Sequence, residues 1–277
     1  MPTTAPPSTA PSTAPSAGAP LRAAIALIYH DVVDAPVAAG DDADRFLVRR
    51  AAFAAQLDAM ATAGTPVRTL ADAAPPTGRD VLITVDDGGI SNHQTIAPLL
   101  EAHGWRGHFF VTTAWVGAPG FMGPAELRDL AARGHVIGSH THTHPRKLSA
   151  LGTAALADEW RRSADALRDI LGADVTAGAV PGGFTSRDVA DTAAAAGLVH
   201  LFDSESRTRV RRNGAQRLYG RYTVWRDTPL DGFLGLIGRS PISRLRQSVS
   251  WETKKIAKQL LGERWFALRQ RLLGLRD

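Results

Sequence analysis

The most restrictive feature of this chain is an alternation. Short apolar runs at 24–29, 81–85, 108–111, 136–139, 177–180, 199–202 and 222–225 read as strands, and helical patterns lie among them at 50–63, 92–103, 125–133, 153–171 and 186–196. Each helical pattern runs into a glycine: Gly64, Gly104, Gly134, Gly172 and Gly197. Glycine enters the left-handed conformation that ends a helix without a Cβ penalty. Strands that are apolar throughout are buried on both faces, as happens when helices cover parallel strands. The spacing predicts an α/β fold, either a (β/α) barrel or an open α/β sheet. In both, chemistry gathers at the C-terminal ends of strands.

Charge and composition narrow the partners. The net charge of +5 is unevenly placed: residues 241–277 hold nine Lys/Arg against three Asp/Glu, which leaves the rest close to neutral. The basic character belongs to the tail, so no nucleic-acid partner is expected for the body. The absence of cysteine excludes disulfides, thiolate metal sites and cysteine nucleophiles together. A metal here would need His and carboxylate ligands. No run approaches the roughly 18–20 apolar residues of a membrane span. The N-terminus lacks the basic and apolar regions of a secretory signal, so a cytoplasmic location is expected. Residues 1–20 contain six prolines and no charged side chain. They offer nothing against the entropy of ordering and are expected to form a disordered leader. One folded domain over 21–240 and a helical tail over 241–277 complete the expected organisation.

Three strand ends carry polar residues. The 81–85 run ends in Asp86-Asp87-Gly88-Gly89. Two adjacent carboxylates closing an apolar strand repel one another, and a cation beside them resolves the conflict; alternatively they cap the following helix. The 136–139 run ends in His140-Thr141-His142-Thr143-His144. If the segment turns helical, His140 and His144 share a face and His142 points elsewhere; if it stays extended, all three point one way. The first strand ends in Tyr29-His30-Asp31, and a barrel would bring His30 to the same rim. One carboxylate with two imidazoles suits one divalent metal ion, zinc being the expected choice, and leaves positions for water and substrate. A second carboxylate beside it could take a proton from that water.

These residues resemble the polysaccharide deacetylase family, the NodB-homology domain of carbohydrate esterase family four. Its first motif, Thr-Phe-Asp-Asp-Gly, is Thr84-Val85-Asp86-Asp87-Gly88 here, and its second, His-Ser/Thr-x-x-His, is His140-Thr141-His142-Thr143-His144. The stretches Ile96-Ala97-Pro98-Leu99-Leu100, Gly107-His108-Phe109-Phe110-Val111 and Gly134-His135-Val136-Ile137-Gly138-Ser139 are similar as well. The likeness runs from about Leu27 to Trp225. It implies an irregular, incomplete (β/α) barrel, to which the residue pattern adds a C-terminal helical tail. It further implies a metal-dependent hydrolase that removes N- or O-linked acetyl groups from a polysaccharide or amino sugar. Carried over by position, Asp86 is the general base, Asp87, His140 and His144 are the metal ligands, and His142 is not one.

The chain departs from the family in two places. The third motif, Arg-x-Pro-Tyr-Gly, appears as Ala179-Val180-Pro181-Gly182-Gly183, so the base-orienting arginine is absent while the Gly182 backbone N–H remains available to an oxyanion. The late Leu-His motif that supplies a general acid has no counterpart. One branch of the family, similar to exopolysaccharide poly-glucosamine deacetylases, instead carries an early Tyr-His motif, and Tyr29-His30 resembles it. That makes His30 the expected general acid. Arg221 is either an electrostatic substitute for the lost arginine or a surface charge.

Two rival functions fit parts of the pattern. A binuclear metallohydrolase would use His142 as an additional ligand, and a non-catalytic carbohydrate-binding relative would tolerate the missing arginine and late histidine. In the tail, Ala257, Leu261, Trp265, Leu268 and Leu272 share one helical face among Lys and Arg, with Gly262 interrupting. That face either packs on the barrel or suits a peripheral contact with a membrane or a protein.

Overall fold

The computed structural model describes residues 21–34, 45–74, 76–238 and, beyond these, 242, 244, 245 and 247–249. The leader expected over 1–20 and the apolar face expected in the tail at 257–272 lie outside the described residues.

Six parallel strands in chain order form the body of the main sheet: β1 (Ile25–Tyr29), β4 (Val81–Val85), β5 (His108–Val111), β6 (Val136–Ser139), β7 (Ala177–Ala179) and β8 (His200–Phe202). Two further strands, β10 (Gln216–Tyr219) and β11 (Arg221–Thr223), pair in parallel with β8 and β1 at opposite ends of this order. Only Gly220 separates them in the chain. The sheet must therefore curl until its ends meet, and the interruption at Gly220 leaves the barrel incomplete. A side chain there has no room: a Cβ would lie 2.2 Å from the Glu205 carbonyl and 2.3 Å from Arg207 Cγ. The short β9 (Arg211–Asn213) adds to β10 in antiparallel fashion. A separate pair, β2 (Asp31–Val33) with β3 (Leu47–Arg49), extends beyond the end of β1. The expected irregular, incomplete (β/α) barrel is the observed fold.

Among the described residues, helices α1 (Arg50–Thr62), α2 (Ala97–Ala102), α3 (Pro124–Ala132), α4 (Thr153–Leu171), α5 (Arg187–Ala195) and α6 (Leu230–Ile237) accompany the sheet. A π-helical turn over Asn92–Ile96 leads into α2. The five glycines expected to stop helices all have positive φ, between 59° and 88°. Strand parity divides the core in two. Leu27, Tyr29, Val81, Ile83, Val85, Phe109 and Val111 pack outward with helix residues such as Phe53, Leu57, Leu127 and Trp160. Ala26, Leu82, Phe110, Ala177, Ala179, Phe202 and Tyr219 pack together inside the curl. Large rings fill the inside only because their neighbours are small; a Cβ on Gly138 would sit 2.5 Å from the Phe110 ring. His108, also inside, is fully buried, donates from Nδ1 to the Ile83 carbonyl (3.1 Å) and accepts the Leu70 N–H at Nε2 (3.0 Å).

The reading of the sequence missed β2, β3, β9, β10 and α6. The strand expected at 222–225 begins one residue earlier and ends at Thr223, where the chain turns toward Thr228, whose hydroxyl accepts the Trp225 N–H. Among the described residues, no helix is long and apolar enough to cross a membrane.

Candidate metal centre

The inward parity of the strands delivers the polar residues to one rim. On β4, Leu82 and Thr84 point inward, and the same alternation carries Asp86, two residues on, into the mouth of the curl. On β6, Gly138 faces Phe110 inside, and His140 follows in step. Both Asp86 and His140 are buried. Asp87 then breaks the alternation: its φ is 75°, a left-handed conformation that Asp tolerates better than most residues. The helix-cap reading of the two aspartates does not hold, because the next helical turn has Ser91 at its N-cap position and starts at Asn92. Gly89 belongs to the same packing problem, since a Cβ there would lie 2.2 Å from Asp31 Oδ1.

Asp87 Oδ1 lies 3.5 Å from Nε2 of His140 and 3.5 Å from Nε2 of His144. These three residues form the one group among the described residues with metal-ligand character, their donor atoms lying within 4.8 Å of one another. His140 donates its Nδ1–H to the Ala179 carbonyl (2.9 Å), which fixes the tautomer and leaves the Nε2 lone pair facing Asp87. The 140–144 segment is neither helix nor strand: Thr141 (φ 65°) and His144 (φ 56°) are left-handed. His142 points away, with its Nδ1 2.9 Å from the Thr113 hydroxyl, and stands outside the donor group.

The fit to a cation is seen in Asp87. Its Oδ1 is buried and has no hydrogen-bond partner among the described residues. Burial raises its pKa to about 6, with the Asp86 charge adding to the rise and His30 opposing it. Such a carboxylate is costly to ionise until a positive charge arrives. Burial also pushes His140 down to about 3 and lowers His144, favouring the neutral imidazoles that ligate metals.

Asp86 has the opposite character. Burial pushes its pKa up, but the Arg221 guanidinium, His140 and the hydrogen bonds to Arg221 outweigh it and hold the carboxyl at about 2. Arg221 is no surface charge. It is 1% exposed and grips Asp86 with both terminal nitrogens, at 2.6 Å and 2.9 Å. It also donates to the Thr84 hydroxyl (3.2 Å) and the Asp203 carbonyl (3.0 Å). Ala179, where the family's arginine would stand, is fully buried without any cation of its own.

His30 lies partly buried after β1. Its ring packs 4.4 Å from that of Phe46, and its Nδ1 is buried with no hydrogen-bond partner among the described residues. Asn92 donates to the His30 carbonyl (3.0 Å) and holds the backbone there. Gly182 is exposed, with a φ of 64°. Glu159 on α4, which nothing in the sequence singled out, accepts from the 142 and 143 backbone N–H groups.

Polar groups at the C-terminal rim of a curled parallel sheet, with a carboxylate and two imidazoles that could hold a divalent ion among them, place this chain among α/β proteins with a candidate metal centre. Residues 73–201, which hold both aspartates and all three histidines of the second motif, match the model of the polysaccharide deacetylase family. His30 and Arg221 fall outside the matched residues. A chitin deacetylase from Colletotrichum lindemuthianum is 29% identical over 130 residues, 43% of this chain and 52% of the relative. A gellan lyase from a Bacillus species is 37% identical over 108 residues, 39% of this chain but 4% of that protein. The chain thus spans about half the length of one curated relative and a small part of the other. Among solved structures, the Streptococcus pyogenes deacetylase PplD, in complex with acetate, superposes with a TM-score of 0.67. It covers 78% of this chain and 98% of its own at 18% identity, a likeness of fold.

Proposed function

We propose that this protein is a metal-dependent hydrolase that removes N- or O-linked acetyl groups from a polysaccharide or amino sugar. The observation that carries the reading is the pairing of two unlike neighbours. Asp87 is a buried carboxylate whose Oδ1 faces two imidazoles without a hydrogen bond, and Asp86 is an ionised carboxylate held fast beside it. The match of residues 73–201 to the deacetylase family and the likeness to a chitin deacetylase support acetylated glycan as the substrate class.

In this reading Asp87, His140 and His144 hold one divalent ion, zinc by the preference of His and carboxylate ligands. When bound, such an ion supplies Lewis acidity that polarises an acyl carbonyl and acidifies water. Asp86 takes the water's proton as general base, kept ionised and oriented by Arg221. The exposed Gly182 N–H donates to the oxygen that gains charge as the carbonyl is attacked. His30 protonates the departing amine, or the alcohol of an ester, and its unpartnered Nδ1 and nearness to Asp87 support that role. Arg221 answers the lost third-motif arginine, one of the two gaps behind a non-catalytic reading. The Thr113 contact to His142 disfavours a second metal.

The test is deacetylation of acetylated amino-sugar oligosaccharides by chelator-stripped protein before and after zinc is restored. Activity that returns with about one ion per chain supports the proposal. Equal turnover of stripped and restored protein would refute metal dependence, and no product from any acetylated glycan would refute the enzyme.

A further inference from the structure

The turn that supplies two of the three candidate ligands is awkward for its own sequence. Thr141 and His144 occupy the left-handed region that residues with a Cβ adopt reluctantly. Contacts hold it on two sides. On one, Thr113 and Ala114 donate backbone N–H groups to the carbonyls of Thr141 (3.3 Å) and His142 (2.9 Å). On the other stands Glu159. Its Oε2 accepts the N–H groups of His142 (2.9 Å) and Thr143 (2.8 Å), and its Oε1 accepts the Thr143 hydroxyl (2.6 Å).

The base of this clamp is firm. The next residue on α4, Trp160, is fully buried, and Ser163 one turn on accepts the hydroxyl of Ser139 at the end of β6 (2.7 Å). Among the described residues no Lys or Arg pairs with Glu159; its acceptor capacity goes to the turn. A carboxylate that gathers successive N–H groups and a hydroxyl fixes the backbone between them. The backbone it fixes runs between His140 and His144.

We propose that Glu159 is a positioning residue: by clamping residues 142–143 it aims Nε2 of both His140 and His144 at Asp87, and so sets the affinity of the centre for its divalent ion. This rests on the metal-centre reading above. Zinc alone is the probe, competed against a chromophoric chelator at neutral pH, with folding of each apo-protein followed by circular dichroism and thermal melting. Glu159→Ala should weaken zinc binding roughly 10–100-fold, the usual effect of losing a group that orients ligands. Glu159→Gln keeps an oxygen for the two N–H groups and an amide for the Thr143 hydroxyl, and should stay within about threefold. If Glu159→Ala does not fold, Thr143→Val removes one of the three contacts and should weaken zinc roughly 2–10-fold.

Tight zinc uptake by the wild type together with unchanged affinity in folded Glu159→Ala, or in Thr143→Val, would overturn the proposal. Equal losses in the Ala and Gln variants would overturn it too, by assigning the effect to charge. A wild-type protein that takes up no zinc would bring down the metal-centre reading itself.

Discussion

Arg221 and Asp86 meet as a two-pronged ion pair, 2.6 Å and 2.9 Å, between residues 135 apart in sequence and nearly sealed from solvent. Removing one partner of such a pair leaves an uncompensated buried charge, which costs about 3–5 kcal/mol. Arg221→Ala should therefore lower unfolding stability by about that amount at pH 7, read by urea denaturation. Arg221→Lys should cost less, because it keeps the charge but not the fork.

The same pair sets a pH dependence. Asp86 lies at about 2 because Arg221 and His140 overcome burial. Without the guanidinium, the largest influence opposing burial is lost and the pKa rises. A general base must be unprotonated, so the acid limb of kcat/KM should move to higher pH in Arg221→Gln. An unmoved limb would separate Arg221 from the base.

Roles within the rim should divide by what each variant retains. Asp86→Asn and His30→Ala are expected to lose turnover by roughly 100-fold or more while keeping the metal. Asp87→Ala and His140→Ala should lose both. Metal content measured beside turnover checks the division; an active Asp86→Asn would remove Asp86 as the base.

Far from the rim, His108 links folding to acidity. Burial lowers its pKa from 6.5 to about 4, so the unfolded chain takes up the proton first as pH falls. Its stabilising contribution is complete above pH 6.5 and is lost progressively toward pH 4. The full span is about 3 kcal/mol, from 1.36 kcal/mol per pKa unit. In His108→Asn the decline in unfolding free energy across that interval should be shallower by about this amount.

Much of this was legible in the chain. Apolar runs and glycine stops located six of the seven expected strands to within a residue at either end, because a strand buried on both faces has few other ways to be written. Asp86-Asp87 and His140 to His144 stood out because polar clusters ending apolar strands are costly without a partner. Arg221 was ambiguous: a lone arginine in a short stretch carries no sign of the face it will take. Glu159 was silent, since an acidic residue among charged neighbours on a helix reads as a solvated face.

Local pattern alone determined the strands, the helix ends and the polar residues that would need company, since each depends on neighbours a few positions away. Tertiary structure decided which of those residues meet. Curling the sheet until β10 and β11 join at Gly220 turns Arg221 inward onto Asp86, and docking α4 beside β6 brings Glu159 under the histidine turn. The first contact depends on strand order and parity across 135 residues, and the second on how a helix docks 16 to 17 residues along the chain, so local pattern specifies neither.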